Sequence, residues 1–195
     1  VYDRDPAKIL AEKRATIFIN ISASPFQVGK DELRYKMIMK NANAYRIPFI
    51  LVNQVGGNDE LIFDGRSMAV DGEGRVIKSV RAFEERVEVI DTNAKGKKAY
   101  KSADRIKDVH DALILGIRDY MRKCGFSKAI VAISGGIDSA LTAYLAVKAI
   151  SSKNVLGLFM PSLYTSNKSR GYAKELAKNL GIKMEIVDIS CLLYT

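Results

Sequence analysis

One stretch constrains the fold more than any other. The β-branched run Ala129-Ile130-Val131-Ala132-Ile133 passes directly into Ser134-Gly135-Gly136-Ile137-Asp138-Ser139 and then into an Ala- and Leu-rich segment ending at Ile150. A strand that feeds a helix through a short glycine loop implies a parallel-sheet crossover, with the loop at the C-terminal edge of the strand, where such sheets bind ligands. Consecutive glycines let the backbone approach a charged oxygen and adopt conformations closed to other residues. The helix that follows offers unpaired N–H groups and the positive end of its dipole, which together stabilise a phosphate. Ser134 and Ser139 can add hydroxyl donors, and Asp138 would repel phosphate unless a cation such as Mg²⁺ lay between them. A plain turn with a helix N-cap uses the same residue types. The preceding strand, the following helix and the acidic residue together favour the phosphate site. No Gly-Lys-Ser/Thr closes the loop, which argues against a Walker A kinase or γ-phosphate hydrolase.

The surrounding pattern is alternating strand and helix. Val109 to Cys124 reads as an amphipathic helix, Lys128 to Ile133 as a strand and Asp138 to Ile150 as a helix. Val155 to Met160 is a further strand, Ser169 to Leu180 a helix closed by Gly181, and Met184 to Ile189 a third strand. That order predicts a parallel sheet. The first half reads differently: strand Ala15 to Ile21, helix Lys30 to Ile47 ended by Pro48, and strand Phe49 to Val52 broken at Gly56-Gly57-Asn58. Three more strands are expected at Arg66 to Val70, Val76 to Val80 and Arg86 to Ile90, the first two joined across Asp71-Gly72-Glu73-Gly74. The order fits the closing half of a layered α/β domain.

The net charge of +9 raises the question of nucleic acid. The excess is concentrated in Thr92 to Lys107, where Lys95, Lys97, Lys98, Lys101, Arg105 and Lys107 face one Asp104, a net of +5. Tyr100 stands alone there, so no aromatic stacking platform is present, and the segment reads as a basic linker rather than a nucleic-acid surface. No apolar run approaches the roughly 20 residues of a membrane span. Val1 to Pro6 lacks an initiator Met and the order of a secretion signal, and Cys124 and Cys191 match no metal or redox spacing, so a reducing cytoplasm is the expected setting. His110, the single histidine, is read as a helix-surface residue.

At the loop the chain resembles a known family. Ala132-Ile-Ser-Gly-Gly-Ile-Asp-Ser139 is similar to the signature of the N-type ATP pyrophosphatases, which cleave ATP between the α and β phosphates to adenylate an oxygen nucleophile. GMP synthetases, asparagine synthetases and NAD synthetases share it. Gly157-Leu-Phe-Met-Pro-Ser162 and Tyr164-Thr-Ser166 resemble the strand and loop that follow in NAD synthetases, where that edge lies near adenine; Leu158 and Met160 match there. Apolar residues on a buried strand are core by default, which is the competing reading of both. Asn20 to Lys30, Val52 to Asn58 and Phe63 to Ser67 resemble the latter part of a nitrilase-type glutaminase domain, the domain found ahead of this loop in glutamine-dependent NAD synthetases.

The resemblance implies an α/β chain: the C-terminal part of a nitrilase-like α/β sandwich over 1–91, a basic linker over 92–107, and the start of a parallel-sheet ATP pyrophosphatase domain over 108–195. It implies ATP binding by Ala132, Ile133, Ser134, Gly135, Gly136, Ile137, Asp138 and Ser139, Mg²⁺ at Asp138, and glutamine contacts at Ser24 and Lys30. A turn serine and a helix-start lysine are the plain readings of the last two. The family's catalytic Glu, Lys and Cys are expected before Val1 and most of the deamido-NAD pocket after Thr195, so Cys124 and Cys191 are incidental thiols. The implied reaction amidates deamido-NAD with ammonia from glutamine, in a homo-oligomer with neither nucleic-acid nor membrane partner. The alternatives at this point are another pyrophosphatase amidotransferase, such as a GMP synthetase, and a piece without activity of its own.

Overall fold

The computed structural model describes residues 5–97, 100–102 and 104–190. The chain divides into two compact units, residues 1–112 and 113–195. Among the described residues no helix is long and apolar enough to cross a membrane.

The first unit begins with α1 (Pro6–Glu12), which the sequence reading did not anticipate. Asp5 caps it, its Oδ1 accepting from the Ala7 and Lys8 N–H groups at 3.0 and 3.3 Å, and Pro6 sits where a missing N–H costs nothing. The chain then turns at Arg14, in the left-handed region, so the strand expected from Ala15 starts only at Phe18. β1 (Phe18–Ser22) pairs in parallel with β2 (Phe49–Asn53) across the helix α2 (Lys30–Tyr45). α2 stops at Arg46, again left-handed, two residues before Pro48 removes a donor. Asn58, the last residue of the expected Gly56-Gly57-Asn58 break, instead closes β3 (Val55–Asn58), which forms a hairpin with β4 (Leu61–Asp64). Glycine weakens a strand without forbidding one, and here the hairpin partner decides.

β5 (Met68–Val70) and β6 (Val76–Ser79) complete a mixed sheet in the order β1-β2-β5-β6. The expected strand at Arg86 to Ile90 does not form. Val87 and Val89 are fully or almost fully exposed, and Glu88 pairs with Lys78 at 3.0 Å. Alternation alone does not make a strand without a ladder partner, and among the described residues none is offered. Phe18, Ile38, Ala42, Phe49, Leu51, Met68 and Val70 form the core between α2 and the sheet.

The described residues of the segment expected as a basic linker, 92–97, 100–102 and 104–107, belong to the first unit. Gly96 donates its N–H to Asp71 Oδ2 at 2.8 Å, and a Cβ at Gly96 would stand 2.3 Å from the Arg75 carbonyl oxygen. The Tyr100 ring packs against Tyr35 at 5.3 Å, and Lys98 lies outside the described residues. Helix α3 (Arg105–Lys123) starts earlier than Val109, because Asp104 accepts from the Ile106 and Lys107 N–H groups at 2.8 and 3.2 Å. His110 lies on α3 with Nδ1 2.9 Å from Asp111 Oδ1. Cys124 is exposed at the end of this helix, and Cys191 lies outside the described residues.

These pieces meet at a buried charge cluster. Arg66 Nη2 lies 2.6 Å from Asp108 Oδ1, its Nη1 3.6 Å from Asp31 and its Nε 3.6 Å from Asp64. Arg34 holds the other oxygen of Asp64 at 2.7 Å. The Tyr100 and Ser102 hydroxyls each donate to Asp31 Oδ2 at 2.7 Å. Burial and the bond to Asp31 push the Tyr100 hydroxyl up to about 12, against the opposing pull of Arg66, so it remains a donor. Burial alone would raise the Asp31 carboxyl. The hydroxyl bonds from Tyr100 and Ser102, with the Arg66 charge, outweigh it and hold Asp31 below its ordinary 3.8.

The second unit is simpler. β7 (Ala129–Ala132), β8 (Val155–Phe159) and β9 (Lys183–Ile186) form a parallel sheet in that order, joined by α4 (Ile137–Ile150) and α5 (Asn167–Leu180). Alanines 143 and 146 of α4 and 173 and 177 of α5 allow both helices to lie close on one face, over Val131, Ile133, Val155 and Phe159. The opposite face is less covered, with Ile130 68% exposed.

Replacing Arg66 by Ala leaves buried carboxylates facing one another, so the first unit should lose about 3–5 kcal/mol in urea unfolding at neutral pH. Asp31 has a depressed folded pKa, so the stability it supplies is present above its unfolded value and is lost as pH falls through the lower folded value. The stability difference between wild type and Asp31→Asn should therefore shrink below about pH 4. A difference that stays constant down to pH 2.5 would remove Asp31 from the acid response.

Candidate functional site

The segment Ser134–Ser139 runs from just past the end of β7 into the first turn of α4, at the C-terminal edge of the parallel sheet. Its shape depends on the packing of Ile133 and of two glycines. Ile133 is 2% exposed and donates its N–H to the Leu158 carbonyl at 2.8 Å, extending the β7–β8 ladder to the first residue before the loop. Its side chain occupies space that Gly157 leaves open, since a Cβ at Gly157 would lie 2.6 Å from Ile133 Cδ1. Gly135 then takes a φ of +85°, and a Cβ there would lie 2.5 Å from the Ser169 carbonyl oxygen in the first turns of α5. The loop therefore lies against the N-terminal part of a second helix, in a conformation that glycine adopts without strain.

The serines brace this turn internally. Ser134 donates its N–H to Ser139 Oγ at 3.1 Å, Gly136 donates its N–H to Ser134 Oγ at 3.2 Å, and Ser139 Oγ donates to the Gly136 carbonyl at 3.0 Å. Their hydroxyls, expected as phosphate donors, thus first hold the loop in shape. Gly136 is the N-cap of α4 and supplies no side-chain bond, leaving the first turn's N–H groups without a side-chain cap. Asp138 is exposed in that turn; among the described residues, no hydrogen bond or ion pair engages its carboxylate. Backbone donors and an uncommitted carboxylate side by side suit a phosphate with its cation.

The remaining positions expected from the sequence to meet a nucleotide separate by face. Ile133 belongs to the core, so only its backbone can serve a ligand, whereas Ala132 is exposed at the end of β7. Leu158 is half-buried, and Met160, just past β8, is 42% exposed beside the same edge. Two features escaped the sequence reading. Ser166 caps α5 by accepting from the Ser169 N–H at 3.1 Å, so two helix N-termini share this edge. Asp188, past β9, has its carboxyl held below the usual range by the Ser190 hydroxyl and N–H and by the Arg170 charge. The signal for both was available in the rule that ligands meet the C-terminal ends of every strand, not of one alone.

In the first unit Ser24 and Lys30 both lie on the connection from the C-terminal end of β1 to α2, Lys30 being the first residue of the helix. Gly29 enters α2 at a φ of +81°. Phe26 fixes this connection by donating its N–H to the Ile62 carbonyl at 2.7 Å and packing its ring on Phe83 at 5.5 Å. Ser24 is held by Asn53, whose carboxamide accepts the Ser24 N–H at 2.8 Å.

Known proteins resemble this chain along its length. Residues 109–194 match the NAD synthase family model. The chain is 41% identical over its full length to 36% of the glutamine-dependent NAD(+) synthetase of Synechocystis sp.. Over 89% of the chain it is 37% identical to 37% of the same enzyme from Thermotoga maritima. Among solved structures, the glutamine-dependent NAD+ synthetase of Acinetobacter baumannii in complex with ADP superposes with a TM-score of 0.87 at 33% identity, covering 95% of this chain and 36% of that one. The chain thus spans little more than a third of the length of these relatives.

Gly135→Ala adds a Cβ where the backbone of Ser169 already lies, at a φ that side chains rarely adopt. With Mg-ATP as the probe, strain of about 1–3 kcal/mol localised in the loop should weaken any phosphate binding there by about tenfold or more, without unfolding the sheet. Calorimetric titration of the variant against wild type checks this; equal affinities would show that the loop does not contact the nucleotide.

Proposed function

We propose, for a chain that belongs in sequence and fold to the glutamine-dependent NAD(+) synthetases, that it carries parts of two working sites of the whole protein. The reaction is ATP-dependent amidation of deamido-NAD to NAD by ammonia taken from glutamine, with release of AMP and pyrophosphate. The observation that carries this reading is the loop Ser134–Ser139: a glycine turn against α5, an uncapped α4 N-terminus and the exposed Asp138 at one sheet edge. Ala132 through Ser139 cradle the ATP phosphates, and Leu158 and Met160 face the base. Attack by the nicotinate carboxylate on the α phosphate expels pyrophosphate, and ammonia then displaces AMP from the adenylated intermediate. The loop contributes donors set before the charge develops, which is where a protein assists transfer at phosphorus.

Asp138 would hold Mg²⁺, whose charge neutralises the leaving pyrophosphate. Its exposed carboxylate beside backbone donors fits an ion bound chiefly by phosphate oxygens with one protein ligand. On the glutamine side, Ser24 and Lys30 contact the substrate. We place the functional boundary in 92–107, just ahead of residue 109, where the family match begins; the compact units divide later, within α3 after Ala112. For the full enzyme we further propose a cytoplasmic setting and a homo-oligomer, with a channel that carries ammonia between the two sites.

Asp138→Asn in the full-length enzyme should lower Mg-dependent pyrophosphate release by about two orders of magnitude, the equivalent of about 3 kcal/mol of lost charge stabilisation. Circular dichroism should be unchanged, because the side chain is exposed. A variant that releases pyrophosphate at the wild-type rate would exclude Asp138 from the metal site.

A further inference from the structure

Asn53 is the last residue of β2 and is 6% exposed. Its side chain behaves as an extra peptide group at the point where the β1–β2 ladder ends. Oδ1 accepts the Ser24 N–H at 2.8 Å, and Nδ2 donates to the Ser24 carbonyl at 3.3 Å, a two-point pairing with the backbone of one residue. Nδ2 also donates to the Gly65 carbonyl at 3.0 Å. The Asn53 backbone is anchored in turn, its N–H donating to Ser67 Oγ at 3.0 Å. Both polar atoms of a buried carboxamide are thus used on backbone groups of two loops, 23–29 and 65–67.

Burying an amide is favourable only when its donors and acceptors are satisfied, and an apolar residue here would leave the Ser24 N–H and the Gly65 carbonyl without these partners. A carboxamide satisfied mainly by one loop residue restricts that residue's backbone to one place, the requirement for a group that must meet a ligand within a fraction of an ångström. Ladder bonds cannot do this for Ser24. The β1–β2 register ends at Ser22↔Asn53, so beyond Ser22 the chain has left the sheet. Gln54 still donates its N–H to the Ser22 carbonyl at 2.9 Å, and from there the Asn53 side chain takes over.

We propose that Asn53 is a positioning residue for glutamine recognition, acting through the backbone of Ser24. It rests on the assignment of Ser24 to the glutamine site given above. Asn53 itself touches neither substrate nor reacting atoms. Its contribution is to hold Ser24 at a fixed height above the end of β1, so that the hydroxyl is presented without an ordering cost when glutamine binds.

The test uses the full-length enzyme with Ser24→Ala, Asn53→Ala and the near-isosteric Asn53→Asp, which keeps the acceptor for the Ser24 N–H but turns the donor into a repelled oxygen. Ammonia release from glutamine gives KM and kcat, and NAD formation from added ammonium reports the rest of the molecule independently. Both Asn53 variants should raise the KM for glutamine about tenfold, with kcat moving much less, as expected for loss of a bond worth one power of ten. The ratio of glutamine-driven to ammonium-driven synthesis should fall in step at subsaturating glutamine. If glutamine-driven and ammonium-driven rates fall together with the melting temperature, Asn53 only supports the fold and the proposal fails. A tenfold KM effect in Ser24→Ala with none in either Asn53 variant overturns the positioning role while leaving the site assignment intact. No KM effect in Ser24→Ala removes the assignment itself.

Discussion

Arg66 is the single group on which most of the first unit's architecture converges. It is buried at a positive φ in the turn between β4 and β5, and its guanidinium reaches carboxylates from α2, from the end of β4 and from the first turn of α3. A lone buried guanidinium would be strongly destabilising, and so would each carboxylate, but together with Arg34 they offset most of one another's charge and leave few open valences. Arg34 and the Tyr100 and Ser102 hydroxyls occupy most of the remaining ones; Arg34 Nε and Arg66 Nε are left without a hydrogen bond. The specificity of this arrangement comes from geometry, because one planar fork can serve several oxygens only if α2, the β4–β5 turn and α3 all lie where they do. Through Asp31 the cluster also sits next to Lys30, at the start of α2.

This cluster and a separate contact at Asp71 hold the described part of a lysine-rich, glycine-containing segment to the first unit. Gly96 fits against the Arg75 backbone and Asp71 accepts its N–H, while Tyr100 is drawn to Asp31 and Tyr35. Burial would raise the Asp71 carboxyl, yet the Arg75 N–H and guanidinium and the Gly96 and Glu73 N–H groups together hold it below its ordinary value. Positive charge on the segment is therefore a property of its solvent face, whereas its attachment is made by backbone and two hydroxyls. In the second unit, packing of small residues does comparable work. Gly157 admits Ile133, Gly135 admits the Ser169 backbone, and alanines let α4 and α5 approach, so the loop at the sheet edge is packed against the start of α5.

The sequence by itself determined the parallel β7–α4–β8–α5–β9 order and the placement of Ser134–Ser139 at its edge, because these depend on local periodicity and on glycines whose need is local. It also determined α2, with Pro48 beyond its end, and the β5–β6 hairpin around Asp71 to Gly74. Only the tertiary structure decided the rest. Whether Val55–Asn58 and Arg86–Ile90 are strands depends on a ladder partner, and the outcome was opposite to the local pattern in both cases. Whether 92–107 is tether or part of the first unit depends on Asp31 and Asp71, tens of residues away in sequence. The pairing of Asn53 with Ser24 spans 29 residues and leaves no periodic trace. Hydrogen bonds and ion pairs between distant residues have no local signature, so a fold's charge clusters and side-chain clamps become visible only when the chain has closed on itself.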